Sequence, residues 1–257
     1  MNKNLNNPKQ VTKDINNQTI TIETGKLAKQ ANGSITLSCG KTTLLATAVQ
    51  SKEPKEGIDF LPLTIEFSEK MYAAGKIPGG FFKREARPST NSTLIARLID
   101  RPLRPSFPKG YHNDVQIIIT VLSYDPTVSI DPLAIVAASA ALSVSNIPFN
   151  GPIGGVQVGR VNNQIIINPT QSELANSDID IMVAGSKDAI LMVEADAKEV
   201  SEEVIVDALF QGHDAIKEFI SLQEELVSKA GKEKDTLPEP PKEKEEYIEK
   251  INAFLFL

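Results

Sequence analysis

The sequence predicts an α/β (α+β) domain, rich in strands and carrying two helices packed on a sheet, within a chain of 257 residues. Three observations point to it. Residues 10–50 hold four alternating or apolar runs divided by turn dipeptides. VQIIITVLS at 115–123 is a nearly all-apolar strand. Two long helical patterns follow, an Ala-rich one opened by Pro132 and an amphipathic one over 200–230.

In chain order, Asn-rich residues 1–10 read as a disordered terminus, and residues 11–230 as the folded domain with its C-terminal helix. VTKDI, QTITIET, SITLSC and TTLLATAVQ form a meander turning at Asn16-Asn17, Asn32-Gly33 and Gly40-Lys41. GKTT at 40–43 ends like a phosphate-binding loop, but Ile35 stands where such a loop needs glycine, and the segment joins two strands. It is rejected as a nucleotide loop. Residues 63–67 make another strand, and the glycine-rich AAGKIPGG follows. Ser89 or Thr90 caps a helix whose buried stripe is Leu94, Ile95, Leu98 and Ile99, with Arg97 on a different face. Pro102 disfavours helical geometry at Arg101, so the helix should stop near Asp100 and leave Arg101 and Arg104 in a stiff, extended exit.

The strand at 115–123 is expected to be covered on both faces. LAIVAASAALSVS is the Ala-rich helix; strands near 152–160, 164–168, 179–184 and 189–195 come next. Leu209, Ile216, Leu222 and Leu226 supply the apolar side of the 200–230 helix. Residues 231–246 form a charged, Pro-rich linker with no means of burying itself. Residues 247–257 start a helical domain, and the apolar AFLFL end suggests an interrupted chain.

Composition narrows the function classes. The chain is 41% hydrophobic and 23% charged, with a formal net charge of −6, so it gains little from general attraction to polyanions. No run approaches the roughly 18 apolar residues that span a membrane, and no signal-peptide core is present. Cys39 is alone and reads as a buried small hydrophobe, while His112 and His213 lie far apart, so a zinc site is not expected. The cytoplasm is the natural compartment.

Against that acidic background, Phe81 to Lys109 places Lys83, Arg84, Arg87, Arg97, Arg101, Arg104 and Lys109 against only Glu85 and Asp100, a local charge of +5. A solvated face and a core Phe-Phe pair would be the plain explanation. Order favours another. Phe81 and Phe82 follow Gly75, Pro78, Gly79 and Gly80 at a loop tip rather than on a periodic face, and large apolar side chains on such a tip need a partner to cover them. Aromatics beside cations suit stacked bases on a phosphate backbone.

ETGKLAKQANGS, SKEPKEGIDFLPLT, EKMYAAGKIPGGFFKREARPS, TLIARLIDRPLRP and IPFNGPIGG resemble the first half of the bacterial polyribonucleotide nucleotidyltransferases (polynucleotide phosphorylases), over residues 12–230. The resemblance implies a ribonuclease-PH-like domain, a mixed β-sheet with packed helices, followed by an all-helical linker segment. It implies phosphate-dependent 3′→5′ phosphorolysis of single-stranded RNA in mRNA degradation, by a homotrimeric ring that uses inorganic phosphate and releases nucleoside diphosphates. Any degradosome partners stay open. It carries channel-lining, RNA-holding roles to Phe81, Phe82, Lys83, Arg84 and Arg87, and a place beside the RNA path to Arg97, Arg101 and Arg104. Ala86 and Cys39 depart mildly from the family pattern.

The resemblance also implies that catalysis belongs to a second such domain, outside this chain. Where that domain opens its Ala-rich helix with a phosphate-cradling Gly-Ser-Ser-Ser, this chain has Val128-Ser129-Ile130-Asp131. Where it holds Mg2+ just before Val-Ala-Gly, this chain has Leu174, Asp180 and Met182. Asp178 and Asp180 share a strand face, which surface solubility or a hydrogen-bonded edge also explains. No catalytic or metal residue is therefore assigned here, and the chain is expected to be the RNA-guiding, ring-building half. The alternative is an RNA-binding and assembly fragment without turnover of its own.

Overall fold

The computed structural model describes residues 8–54, 57–85, 87–237 and 242–255. The expected frayed residues 1–7, Ala86, and Phe256-Leu257 of the AFLFL end lie outside the described residues.

Four antiparallel strands open the chain: β1 (Lys9–Ile15), β2 (Gln18–Thr24), β3 (Gly33–Cys39) and β4 (Thr42–Pro54). Asn16 and Asn17 both adopt positive φ, 49° and 62°, which is the backbone that closes a two-residue hairpin with the strands' own twist. β5 (Leu63–Glu69) then joins β6 (Asn113–Ser123) in parallel, giving a mixed six-stranded sheet in the order β1-β2-β3-β4-β6-β5. Between them run a 3-10 turn at Met71–Ala74, a long loop, and α1 (Thr90–Leu103).

α2 (Ile130–Val144) is apolar all round and buried from Pro132 to Val144, because it lies between two sheets. One side packs on β3, β4 and β6, the other on β7 (Gly154–Val161). The second sheet has the order β10-β9-β7-β8, with β8 (Gln164–Ile167), β9 (Ile179–Gly185) and β10 (Ile190–Ala197). A single turn, α3 (Gln171–Leu174), carries a capping box through Thr170 and Glu173. α4 (Glu202–Ala230) crosses β7, β9 and β1, burying Ile216, Phe219, Leu222 and Leu226. Gly33 permits the tightest approach: a Cβ there would sit 2.0 Å from the Ala141 carbonyl oxygen of α2.

Four expectations need correction. The first helix does not stop near Asp100. It runs through Pro102 to Leu103 and on into a 3-10 turn at Arg104–Ser106, so Arg101 and Arg104 are helical, not extended. Burial of Pro102 and Leu103, together with the Arg104 N–H donating to the Asp100 carbonyl, holds that last turn against the proline's preference. Leu94 is 58% exposed, on the outward side of α1 with Arg97. β6 is sealed on one face only: Val115, Ile117, Ile119 and Val121 are buried beneath α2, while Ile118 and Thr120 are half-buried and Gln116 is exposed.

The fourth concerns the charged stretch after α4. Residues 231–237 do not float. Lys234 Nζ donates to the carbonyls of Leu142 (2.8 Å), Ser143 (3.1 Å) and Ser145 (2.8 Å), occupying the open C-terminal end of α2. Burial lowers its pKa to about 8, with Asp235 acting the other way. Asp235 in turn accepts from Asn146 at 2.7 Å. A charged strand of chain can bury itself when a helix end supplies carbonyls that need donors. α5 (Lys242–Leu255) then starts inside the stretch expected to be linker.

Candidate functional site

The site begins at the end of β5. Glu69 Oε2 accepts from Ser89 Oγ (3.2 Å) and Ser92 Oγ (2.8 Å), and Ser89 caps α1 by accepting from the Ser92 N–H at 3.0 Å. Glu85 accepts from the Met71 N–H at 3.0 Å and pairs with Lys70 at 3.0 Å, which holds its carboxyl below the usual range. These contacts pin both feet of the segment from Lys70 to Ser89. Its tip stays outside. Gly80 (φ 75°) and Lys83 (φ 51°) take left-handed backbone there, which turns the intervening aromatics outward.

Phe81 is 93% exposed and Phe82 80%, their rings edge to face with centroids 5.4 Å apart. Lys83, Arg84 and Arg87 are exposed beside them and make no hydrogen bond or ion pair among the described residues. Arg97 is likewise exposed and unpaired, on the outer face of α1. Five of the eight candidate residues therefore cluster on one loop, and Arg97 stands on the next element.

Arg101 and Arg104 are employed differently. Arg101 pairs with Glu194 of β10, linking α1 to the second sheet. Arg104 grips Asp100 through two hydrogen bonds (2.9 and 2.7 Å) and donates to the Leu61 and Leu63 carbonyls at 3.0 and 3.2 Å. That fork fixes the chain entering β5. The sequence reading also passed over Tyr72 and Ile77, 57% and 80% exposed around the same loop; their place in a glycine-interrupted segment was the available signal.

Beside the loop lies a cleft of about 870 Å³. Lys70, Lys76 and Arg87 line it together with Asp131, Gln157 and Asp180. Burial, with the charges of Glu69 and Asp180 adding to it, raises Asp131 to about 6. Asp131 sits in the first turn of α2, where a helix would otherwise receive an anion, so this chain presents its own carboxylate there. Magnesium does not fit these residues. Asp180 Oδ1 accepts from Gln157 Nε2 at 2.7 Å, Asp178 is held by Arg160, and no group of three His, Cys, Asp or Glu among the described residues could hold a metal ion.

Residues 16–148 match the profile of the 3′ exoribonuclease family, domain 1, and residues 151–215 that of the same family's domain 2; the chain belongs to this 3′ exoribonuclease family. It is 54% identical over 231 residues to the polyribonucleotide nucleotidyltransferase of Roseiflexus castenholzii (strain DSM 13941 / HLO8), covering 90% of this chain and 31% of that relative. With the polyribonucleotide nucleotidyltransferase of Geotalea uraniireducens (strain Rf4) it shares 59% identity over 223 residues, 87% of this chain and 32% of the relative. The chain thus spans about a third of the length of these homologues. Among solved structures, rice (Oryza sativa) Rrp46 superposes with a TM-score of 0.64 at 14% identity, over 86% of this chain and 94% of that one, which attests the ribonuclease-PH-like fold.

Proposed function

We propose that this chain is the RNA-guiding portion of a phosphate-dependent 3′→5′ polyribonucleotide nucleotidyltransferase that acts in mRNA degradation. The observation that carries the reading is the Phe81-Phe82 pair, almost wholly exposed on a loop whose feet are pinned and whose neighbouring cations are unpaired. Bases stack on such rings whatever their sequence, and arginines hold the intervening phosphates. Phe81, Phe82, Lys83, Arg84 and Arg87 are the proposed strand contacts, with Arg97 extending the track. Arg101 and Arg104 contribute mainly by holding α1 and β5 in place.

The chemistry belongs to a second domain of the same kind, which would hold magnesium and inorganic phosphate; a homotrimeric ring in the cytoplasm is the assembly this implies. No helix of the described residues is long and apolar enough to cross a membrane. The acidic cleft supports the division of labour, since Asp131 repels the phosphate that phosphorolysis needs.

The test follows a labelled oligo(A) strand and its products with the purified chain. Saturable binding that weakens steeply with salt, without phosphate-dependent release of nucleoside diphosphates, is expected. Phosphate-dependent release would overturn the non-catalytic assignment, and absence of binding would remove the guiding role.

A further inference from the structure

The basic run from Phe81 to Lys109 contains two acids, and charge alone reads each as a cost to holding a phosphate chain. The fold employs both. Asp100 grips Arg104 through two hydrogen bonds, at 2.9 and 2.7 Å. Glu85 reaches back 14 residues to the start of the loop, and its two oxygens take different partners there. Oε1 accepts from the Met71 N–H at 3.0 Å, while Oε2 pairs with Lys70 Nζ at 3.0 Å.

Met71 is a place that needs such a partner. It opens the 3-10 turn Met71–Ala74, and the capping residue Lys70 makes no side-chain hydrogen bond to that turn. The first N–H groups of a helical turn have no acceptor within it, so one must come from elsewhere. Glu85 supplies it from the far limb of the loop. The turn itself is anchored: the Ala73 carbonyl accepts from the Tyr124 N–H at 3.2 Å, just past β6, and the Met71 carbonyl accepts from the Lys76 N–H at 2.9 Å. Glu85 therefore ties the returning chain to a fixed foot.

The next anchor along the chain is Ser89, held by Glu69 together with Ser92. Without Glu85 the unrestrained span would run on from Lys76 to Ser89 instead of ending at Glu85. Phe81 and Phe82 are almost wholly exposed, so burial does not set their place; the feet of the loop do. A shorter span held at both ends loses less freedom when a strand binds.

We propose that Glu85 is a positioning residue for RNA binding: it touches no RNA, and by clamping the Met71 N–H and Lys70 it holds the loop in the form that presents Phe81 and Phe82 to the bases. This rests on the RNA-guiding reading above. It also reverses the sign that charge alone gives. Removing an acid beside phosphate contacts would tighten binding by electrostatics, whereas removing a clamp loosens it.

Fluorescence anisotropy with labelled oligo(A), together with hydrogen exchange, tests this on the purified chain. Glu85→Ala should weaken binding by about three- to tenfold. Glu85→Gln, whose amide oxygen can still accept from the Met71 N–H, should recover most of that loss. In a Phe81→Ala, Phe82→Ala background, Glu85→Ala should cost less than about twofold, because the clamp acts through the rings. Exchange over residues 71–84 should quicken several-fold in Glu85→Ala while β5, β6 and α1 keep the parent's rates, which separates a freed loop from a lost fold. Glu85 is exposed, so the fold should survive the change. Unchanged or tighter binding by Glu85→Ala would overturn the proposal, as would its full cost persisting without the rings or unchanged exchange over 71–84. If the parent chain itself binds no oligo(A), the RNA-guiding reading fails and the role of Glu85 goes with it; a parent that binds and a variant that binds equally well removes the role of Glu85 alone.

Discussion

The arginines of the loop and those at the end of α1 are the same residue type within one short basic run, yet they do opposite work. Arg84 and Arg87 stand unpaired beside two exposed rings, on backbone that only its feet restrain. Arg101 engages Glu194 through one nitrogen, and Arg104 is taken up by Asp100 and the carbonyls before β5. Local charge density is therefore no measure of cationic surface available to a ligand. What separates the two groups is whether the fold brings an acceptor within reach.

The largest expected effect is at the rings. Phe81→Ala with Phe82→Ala should lower oligo(A) affinity by about thirtyfold or more, at about 1–3 kcal/mol for each of the two lost stacks, in fluorescence anisotropy. The thermal midpoint should not move, because both side chains are almost fully exposed. Next, Arg84→Ala with Arg87→Ala should weaken binding about tenfold and reduce the log–log salt slope by about 1.4, some 0.7 per phosphate contact on a single strand. If the Arg101 and Arg104 variants gave the same slope change, the contrast between the two groups would collapse.

A smaller effect, of a different kind, is expected at Arg104. Arg104→Ala should cost about 1–2 kcal/mol in urea denaturation, since it strips two carbonyls and a bidentate carboxylate of their donor while solvent screens the remainder. RNA affinity should stay within about twofold. Smallest of all, Arg101→Ala breaks one exposed ion pair and should change stability by less than about 0.5 kcal/mol. A loss of RNA binding at Arg101 with stability intact would move that residue into the strand-contacting group.

Much of the fold was legible because its signals are local. Asn16-Asn17 marks a hairpin through its tolerance of positive φ, and Ser89 caps α1 with an oxygen three residues from the N–H it accepts. Cys39 is buried, as its strand of alternating apolar residues implied. The loop could be picked out because two aromatics and several cations interrupt periodicity after three glycines. The failures share a different cause. Leu94 continues an apolar stripe, yet stays 58% exposed among the described residues. Pro102 was given its local preference, which the burial of Leu103 overrides. Lys234 looked like linker charge, but its partners at the end of α2 lie about 90 positions earlier in the chain.

By itself, the sequence determined the order and kind of the elements, the exposed aromatic loop, and, through its motifs, the family. Hydrophobic periodicity, capping and turn chemistry act over a few residues, so they can be read along the chain. Only the tertiary structure decided which cations are bound within the fold, and that Asp131, Glu69, Gln157 and Asp180, drawn from four separate elements, face a single cleft. Hydrogen bonds and Coulomb forces depend on distance in space, and the packing of α2 between two sheets sets those distances.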